Sequence, residues 1–427
     1  MRGGAGPAPV PPLQQPFFQR MSDNGFSVFR HRNFAFYLSS RLLGTMAVQM
    51  QSVAIGWQVY AQTHNLFYLG MIGLAQFAPF LLLILYAGHA ADRYNRRNII
   101  ASCMAAQLLC GLALLGFTHS SMAAVWPIFA VLVLFGSARA FMSPATQAVL
   151  VNMVPPQDFS KAVALASSSF HVAVILGPTL GGLLYIYGPG AVYAVASLML
   201  LAAVTLMAST RPAPQATRNE PATWHSVLEG LRFVFSRPIV LGAISLDLFA
   251  VLFGGATALL PALAHDVLHV GPTGLGLLRT APGAGAAVCS IALAFWPIKQ
   301  RVGAWMFGGV AVFGVCTVLL GVTERFDVAL ACLLLLGAGD MISVYVRHLL
   351  VQFETPDAIR GRVSAVNSVF IGASNELGEF ESGITAGWFG LTRVIVFGGV
   401  ATLAVTAAWA WRFPVLSRMN RFPHLDQ

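Results

Sequence analysis

Side chains that can carry a proton or pair charge lie inside stretches otherwise too apolar to hold them. Asp340, Ser343 and Arg347 interrupt one such stretch; Asn375, Glu376, Glu379 and Glu381 interrupt a second, Asp247 a third and Arg139 a fourth. A charge at the bilayer centre costs about 2.5–3.5 kcal/mol on insertion scales, so each needs a reason to be there. Desolvation and a neighbouring like charge both favour the protonated form of a carboxyl group. Such a group can load a proton on one side of a membrane and release it on the other. By estimated depth Asp340 and Glu376 are the first candidates for that role, followed by Glu379 and Asp247. Around a helix Glu379 falls about 60° from Glu376 and Glu381 about 140°, so the three cannot all face one cavity. Asp340 and Arg347 stand about 10 Å apart along the axis and are expected to find different partners. The alternative chemistry is structural, with buried ion pairs fixing how helices pack.

The elements that position these groups must be membrane helices. Of 427 residues, 57% are hydrophobic and 10% charged, and the mean hydropathy is +0.72. A soluble domain of this size cannot hide that much apolar surface. Crossing a bilayer takes roughly 20 apolar residues in a helix. Twelve runs qualify as spans 1 to 12: 34–61, 66–90, 98–118, 122–150, 160–187, 190–209, 239–264, 272–297, 303–322, 327–352, 363–388 and 391–412. Runs this long lack the alternation of a β-barrel, which leaves helices to satisfy the backbone in lipid. With the N-terminus and every even-numbered connection on one side, that side holds 19 of the 25 Lys and Arg residues. The opposite loops hold Arg325 and Arg393. Basic residues stay cytoplasmic, so both termini are expected inside, in a multi-pass protein of the inner (plasma) membrane. The net charge of +9 then reflects topology and calls for no nucleic-acid partner.

Residues 1–33, opening "MRGGAGPAPVPPLQQP", have no apolar signal-peptide core and read as a disordered cytoplasmic tail, with Met21 a candidate start. Residues 34–210 and 238–413 form two six-helix halves, and 414–427 a second cytoplasmic tail. The linker 211–237 begins as a loop and continues "WHSVLEGLRFVFSRP", where Val227, Leu231 and Val234 share one face, as in an interfacial helix. The halves repeat: "PPQDFSKAVALASSSF" from Pro155 and "TPDAIRGRVSAVNSVF" from Thr355 are offset by 200. Pro156/Pro356, Val163/Val363, Ser168/Ser368 and Phe170/Phe370 coincide. Tandem halves of like orientation are a transporter architecture with its substrate site near the midplane.

Two motifs sharpen this. "GHAADRYNRR", residues 88–97, concentrates charge between spans 2 and 3. Gly88 permits a close helix contact, and Asp92 can accept hydrogen bonds from a helix N-terminus of the other half. Arg93, Arg96 and Arg97 can pair with carboxylates or lipid phosphates. On span 5, Gly177, Pro178, Gly181 and Gly182 bend the helix and admit a neighbouring backbone, expected to be glycine-rich span 8. The first pattern resembles the signature loop of the major facilitator superfamily. Asn95 stands where that family usually has Gly, and Asn tolerates positive φ best after Gly. The second resembles the span-5 motif of the family's exporters and antiporters, with Ala164 and Ala173 at its upstream glycine positions. With residues 337–388, the chain from about 26 to 416 is similar to the branch that includes siderophore exporters and macrolide-type efflux pumps. The resemblance implies an all-α fold of twelve transmembrane helices in two six-helix pseudo-repeats, and proton-driven export. It makes residues 88–97 a gating loop and Arg139 the counterpart of the family's span-4 arginine.

The function expected is a proton-coupled exporter of a small amphiphilic molecule, such as a siderophore or drug. Its cavity would be lined mainly by spans 1, 4, 7 and 10. Arg41 and Gln49 belong to a polar face of span 1; with Arg139 and Arg347 they would line that cavity, and Phe249, Phe253 and Tyr345 would contact substrate. An importer, uniporter or lipid permease is the alternative on the same fold. A receptor would need an output module, and an enzyme an HExxH, GxSxG or P-loop motif, which the chain lacks. The expected partners are substrate, protons and the bilayer, with no cofactor, and a monomer is left open beside a dimer. Five cysteines fall inside apolar spans without a CxxC, so neither disulfides nor a zinc site is indicated. His265 and His269, at i and i+4 with Asp266, can ligate a metal, but no third strong ligand is in sight and no metal site is expected.

Overall fold

The computed structural model describes residues 25–120, 124–213, 224–356 and 359–422. Residues 1–24, with Met21, and 423–427 lie outside the described residues, as does the linker stretch 214–223. Twelve long helices correspond to the twelve spans: Arg32–Thr63, Leu66–Arg93, Arg96–His119, Trp126–Val149, Phe159–Leu184, Pro189–Ser209, Pro238–Phe253 with an irregular extension, Pro272–Phe295, Val302–Val322, Phe326–Glu354, Arg360–Phe389 and Leu391–Arg412. No strand occurs among the described residues. Among the described residues, ten helices are long and apolar enough to cross a membrane by themselves. The two that fall short are spans 1 and 11, whose polar faces dilute the apolar signal; both face the interior.

Local chemistry sets the helix starts. The Asn65 and Asn95 side chains cap spans 2 and 3, each accepting from the N–H two residues on at 3.0 Å. Asn95 has φ −63°, so the position uses its side-chain oxygen and not a tolerance of positive φ. Proline opens spans 4, 6, 7 and 8, where its missing N–H costs nothing. Gly188 (φ 92°) and Gly390 (φ 89°) make the turns from span 5 to 6 and from 11 to 12.

These matching turns are part of a repeat that extends through the packing. Span 1 packs on 5 and 6, span 2 on 4, and span 3 on 4 and 6; spans 7 to 12 repeat the same pairings. Gly136 of span 4 seats against the Gln76 carbonyl of span 2, and Gly337 of span 10 against the Pro282 carbonyl of span 8. The halves meet along two seams, span 2 on 11 and span 5 on 8.

Four elements differ from the sequence reading. Span 7 is not one helix: it stops at Phe253, passes Gly254 and Gly255, and continues as short irregular turns ending in the π-turn Leu263–Val267. Gly255 lets span 11 approach, since a Cβ there would lie 2.5 Å from the Gly378 carbonyl. The linker helix, Trp224–Ser236, docks on protein: Val234 is buried with Val240, Ile244, Val351, Val363 and Val366. Glu229 pairs with Arg362 at 2.5 Å. Both terminal segments are partly built into the halves. Gly25–Arg30 forms a 3-10 helix that buries Val28 in the first half's core. Leu416 and Phe422 are buried under the second half, where the Gly303 N–H donates to the Met419 carbonyl at 2.9 Å.

Candidate functional site: a charged cavity between the halves

A cavity of about 510 Å³ lies between spans 1 to 6 and span 11. Span 1 contributes Arg41, Gln49 and Ser52, span 4 Arg139, and span 11 Glu376 and Glu379. Polar faces turn inward because lipid offers them no partner. Arg139 Nη1 donates to Glu376 Oε1 at 2.6 Å, an ion pair that ties the first half to the second. The Arg139 guanidinium also lies 5.6 Å from the centre of the Phe80 ring. Glu379 lines the cavity beside Glu376 and Glu381 does not, as helical geometry requires.

Arg279 makes a second link across the halves. It stands on span 8 and donates to Ser52 Oγ on span 1 at 2.6 Å. Glu379 lines the cavity near the Arg139–Glu376 pair, one helical turn from Glu376. Sequence reasoning left Arg279 without a role; the available signal was a lone arginine in the Gly-rich run of span 8. Arg41 Nη1 donates to the Tyr37 hydroxyl at 3.3 Å and its guanidinium lies 5.8 Å from the Phe170 ring centre. Arg41 forms no ion pair among the described residues, so it is a cation on the cavity wall open to an incoming acceptor.

Other candidates lie elsewhere. Asp247 and Arg347 pair with each other between spans 7 and 10, 7% and 2% exposed. Arg347 thus finds a partner other than Asp340, whereas the partner expected for Asp340 is not seen. Asp340 forms no hydrogen bond or ion pair among the described residues. Phe249 stacks on Phe253 at 6.5 Å and packs on Trp409 at 5.3 Å. Tyr345 packs against the second half's core. Phe249, Phe253, Tyr345 and Arg347 therefore do not line this cavity, and its wall is spans 1 to 6 and 11 in place of 1, 4, 7 and 10. The reason is local: Asp247 pairs with Arg347 inside the second half, and broken span 7 turns its aromatic face to span 12.

The seams between the halves close the side away from the termini. A Cβ on Gly182 would lie 2.5 Å from the Pro272 carbonyl, and one on Gly276 2.6 Å from that of Pro178. Thr179 and Thr280 hydroxyls meet there at 2.7 Å. Pro178 is buried beside them. Gly177 and Gly181 face span 1 instead, against Gln49 and Met50, so the span-5 motif serves two neighbours. At the terminus side the charged loop makes contacts within its own half. Arg96 donates to the carbonyls of Ala91 (3.2 Å) and Ala148 (3.0 Å) and lies 3.9 Å from Asp92. Arg97 donates to the Ala208 carbonyl, and Arg93 is exposed. Among the described residues no atom lies within 4 Å of where a Cβ on Gly88 would sit, so the close contact expected there is not made by them.

Comparison with known proteins agrees with this architecture. The chain is 26% identical over 352 residues to the enterobactin exporter of Citrobacter koseri, covering 79% of this chain and 81% of that protein. It is 24% identical over 344 residues to the enterobactin exporter of Escherichia coli O1:K1, with the same coverage. Its fold matches a bacterial homologue of the human lysosomal transporter Spinster, solved inward-facing and unoccupied, with a TM-score of 0.70. Identity there is 14%, and the match covers 91% of this chain and 97% of that one. It also matches the nucleoside transporter NupG, with a TM-score of 0.68 at 12% identity over 91% of this chain and 99% of that one. The transmembrane secretion effector family model matches residues 23–424, so the chain belongs to that family and is a major facilitator superfamily transporter of the inner membrane.

Proposed function

We propose that this transporter is a proton-coupled exporter of a small amphiphile, a siderophore or drug-like molecule, working by alternating access. The observation that carries the reading is the Arg139–Glu376 pair, which joins the two halves inside the cavity with Glu379 beside it. With both termini in the cytoplasm, the seams close the outside and the cavity faces in. Substrate enters there. Its acceptor groups meet Arg41, its rings meet Tyr37, Phe135 and Phe170, and its hydroxyl or cationic groups meet Glu379. A substrate donor and a proton exclude each other at the same carboxylate oxygens, which is what antiport requires. Protonation from outside removes the charge of Glu376, frees Arg139 and loosens the tie between the halves. Release of that proton inside restores the pair. One proton falling through about 150 mV supplies roughly 3.5 kcal/mol, enough for a few-hundred-fold gradient of a neutral solute.

The relatives named as enterobactin exporters support the siderophore class. The test is uptake into everted vesicles with an acidic lumen, using a panel of catecholate siderophores, macrolides and cationic dyes. Gradient-dependent uptake lost in Glu376→Gln, with substrate binding retained, supports the reading. Uptake that ignores the pH gradient points to a uniporter and overturns the coupling.

A further inference from the structure

We propose that His64, His265 and Asp266 form a binding site for a divalent transition-metal ion, with zinc as the natural probe, on the outer face where the two halves meet. His64 ends span 1 of the first half, and His265 and Asp266 lie in the π-turn that ends span 7 of the second. One ligand atom from each of the three lies within 4.8 Å of the others. The two imidazole centroids are 5.3 Å apart. Two imidazoles and a carboxylate are a ligand set for zinc, cobalt or nickel, whereas calcium and magnesium take oxygen ligands. His64 and Asp266 are exposed, so an ion can enter from solvent and keep water in its remaining positions.

The surroundings hold the ligands in place. His64 adopts the left-handed conformation at φ 45°, which few residues besides glycine enter, and its N–H donates to the Tyr60 carbonyl at 2.7 Å. The Tyr60 hydroxyl donates to Asp266. His265 Nδ1 lies 2.7 Å from Asp266 Oδ1, and its ring is flanked by Trp57 at 5.4 Å and Tyr60 at 5.8 Å. His269, the partner that i, i+4 spacing suggests, is not in the cluster. The π-turn breaks the α-helical register, and His269 Nδ1 is bonded to the His265 carbonyl at 3.2 Å.

The ligands come from both halves, so an ion bound there stabilises the form closed to the outside. That consequence rests on the alternating-access reading above; the binding itself does not. Full-length protein in detergent, stripped with a chelator, would be titrated with Zn²⁺ by calorimetry and with Co²⁺ by visible absorption. One Zn²⁺ per chain, a cobalt d–d spectrum and a raised melting temperature are expected. His64→Ala and His265→Ala should each weaken binding more than ~10-fold, and His269→Ala should leave it unchanged. His64→Gln, melting like wild type without metal, separates loss of a ligand from loss of fold. Equal Zn²⁺ affinity in His64→Gln and wild type, or no saturable Zn²⁺ binding, overturns the site. Zn²⁺ sealed inside everted vesicles, which is the outer face, should slow transport by wild type and not by His64→Gln. Intact binding with unaltered transport would keep the site and overturn the locking.

Discussion

Charge at individual residues sorts into two kinds, the satisfied and the available. Asp247 and Arg347 neutralise each other in the driest part of the second half. Removing one partner leaves a buried charge unpaired, so Asp247→Asn or Arg347→Met alone should cost about 3–5 kcal/mol. The double variant Asp247→Leu/Arg347→Met should recover most of that loss. Thermal melting in detergent distinguishes the two, and a double variant as unstable as either single one would show that the pair is not the cause. Arg41 is the opposite case: its partners are a neutral hydroxyl and an aromatic ring, and no carboxylate. A charge-assisted hydrogen bond contributes about 1.5–3 kcal/mol. Arg41→Gln should therefore weaken substrate binding at least ~10-fold while proton coupling survives, read as a raised KM with an unchanged dependence on the pH gradient.

Helices act here through their faces, and small residues decide where faces touch. The span 5–8 seam closes because Gly182 and Gly276 let backbone meet backbone. Gly276→Val should hold that seam apart and leave the outside open. In a cysteine-free background, Ser52→Cys should then react faster with an impermeant maleimide applied from outside; unchanged labelling would count against the seam as the closing contact. A terminal element gives a stability prediction. Leu416 is 1% exposed in the core formed by spans 7, 9 and 10. Leu416→Ala should cost about 2–5 kcal/mol, visible as a lower melting temperature, whereas a free tail would tolerate it.

The whole molecule is two copies of one packing plan, joined by two seams and a handful of polar ties. The basic residues gathered at the terminus side predict that this side faces the cytoplasm. In intact cells a cysteine at Lys299 should resist an impermeant maleimide and one at Glu324 should react. The reverse pattern would invert the molecule, and with it the direction of transport proposed for the inward cavity.

How much of this was legible in the sequence follows from the same physics. Lipid imposes a one-dimensional rule, since each crossing must be a helix of sufficient apolar length. Span number, the approximate limits of spans other than 7 and the repeat could therefore be read along the chain, and so could the separation of Glu376 and Glu379 from Glu381. Partner choice could not. Arg139 meets Glu376 across 237 positions, Arg279 meets Ser52 across 227, and Tyr60 meets Asp266 across 206. Such meetings depend on how each helix is rotated and on where span 7 breaks at Gly254 and Gly255. Periodicity tells which residues share a face; only tertiary packing decides what that face meets, because the nearest charge in space belongs to another helix.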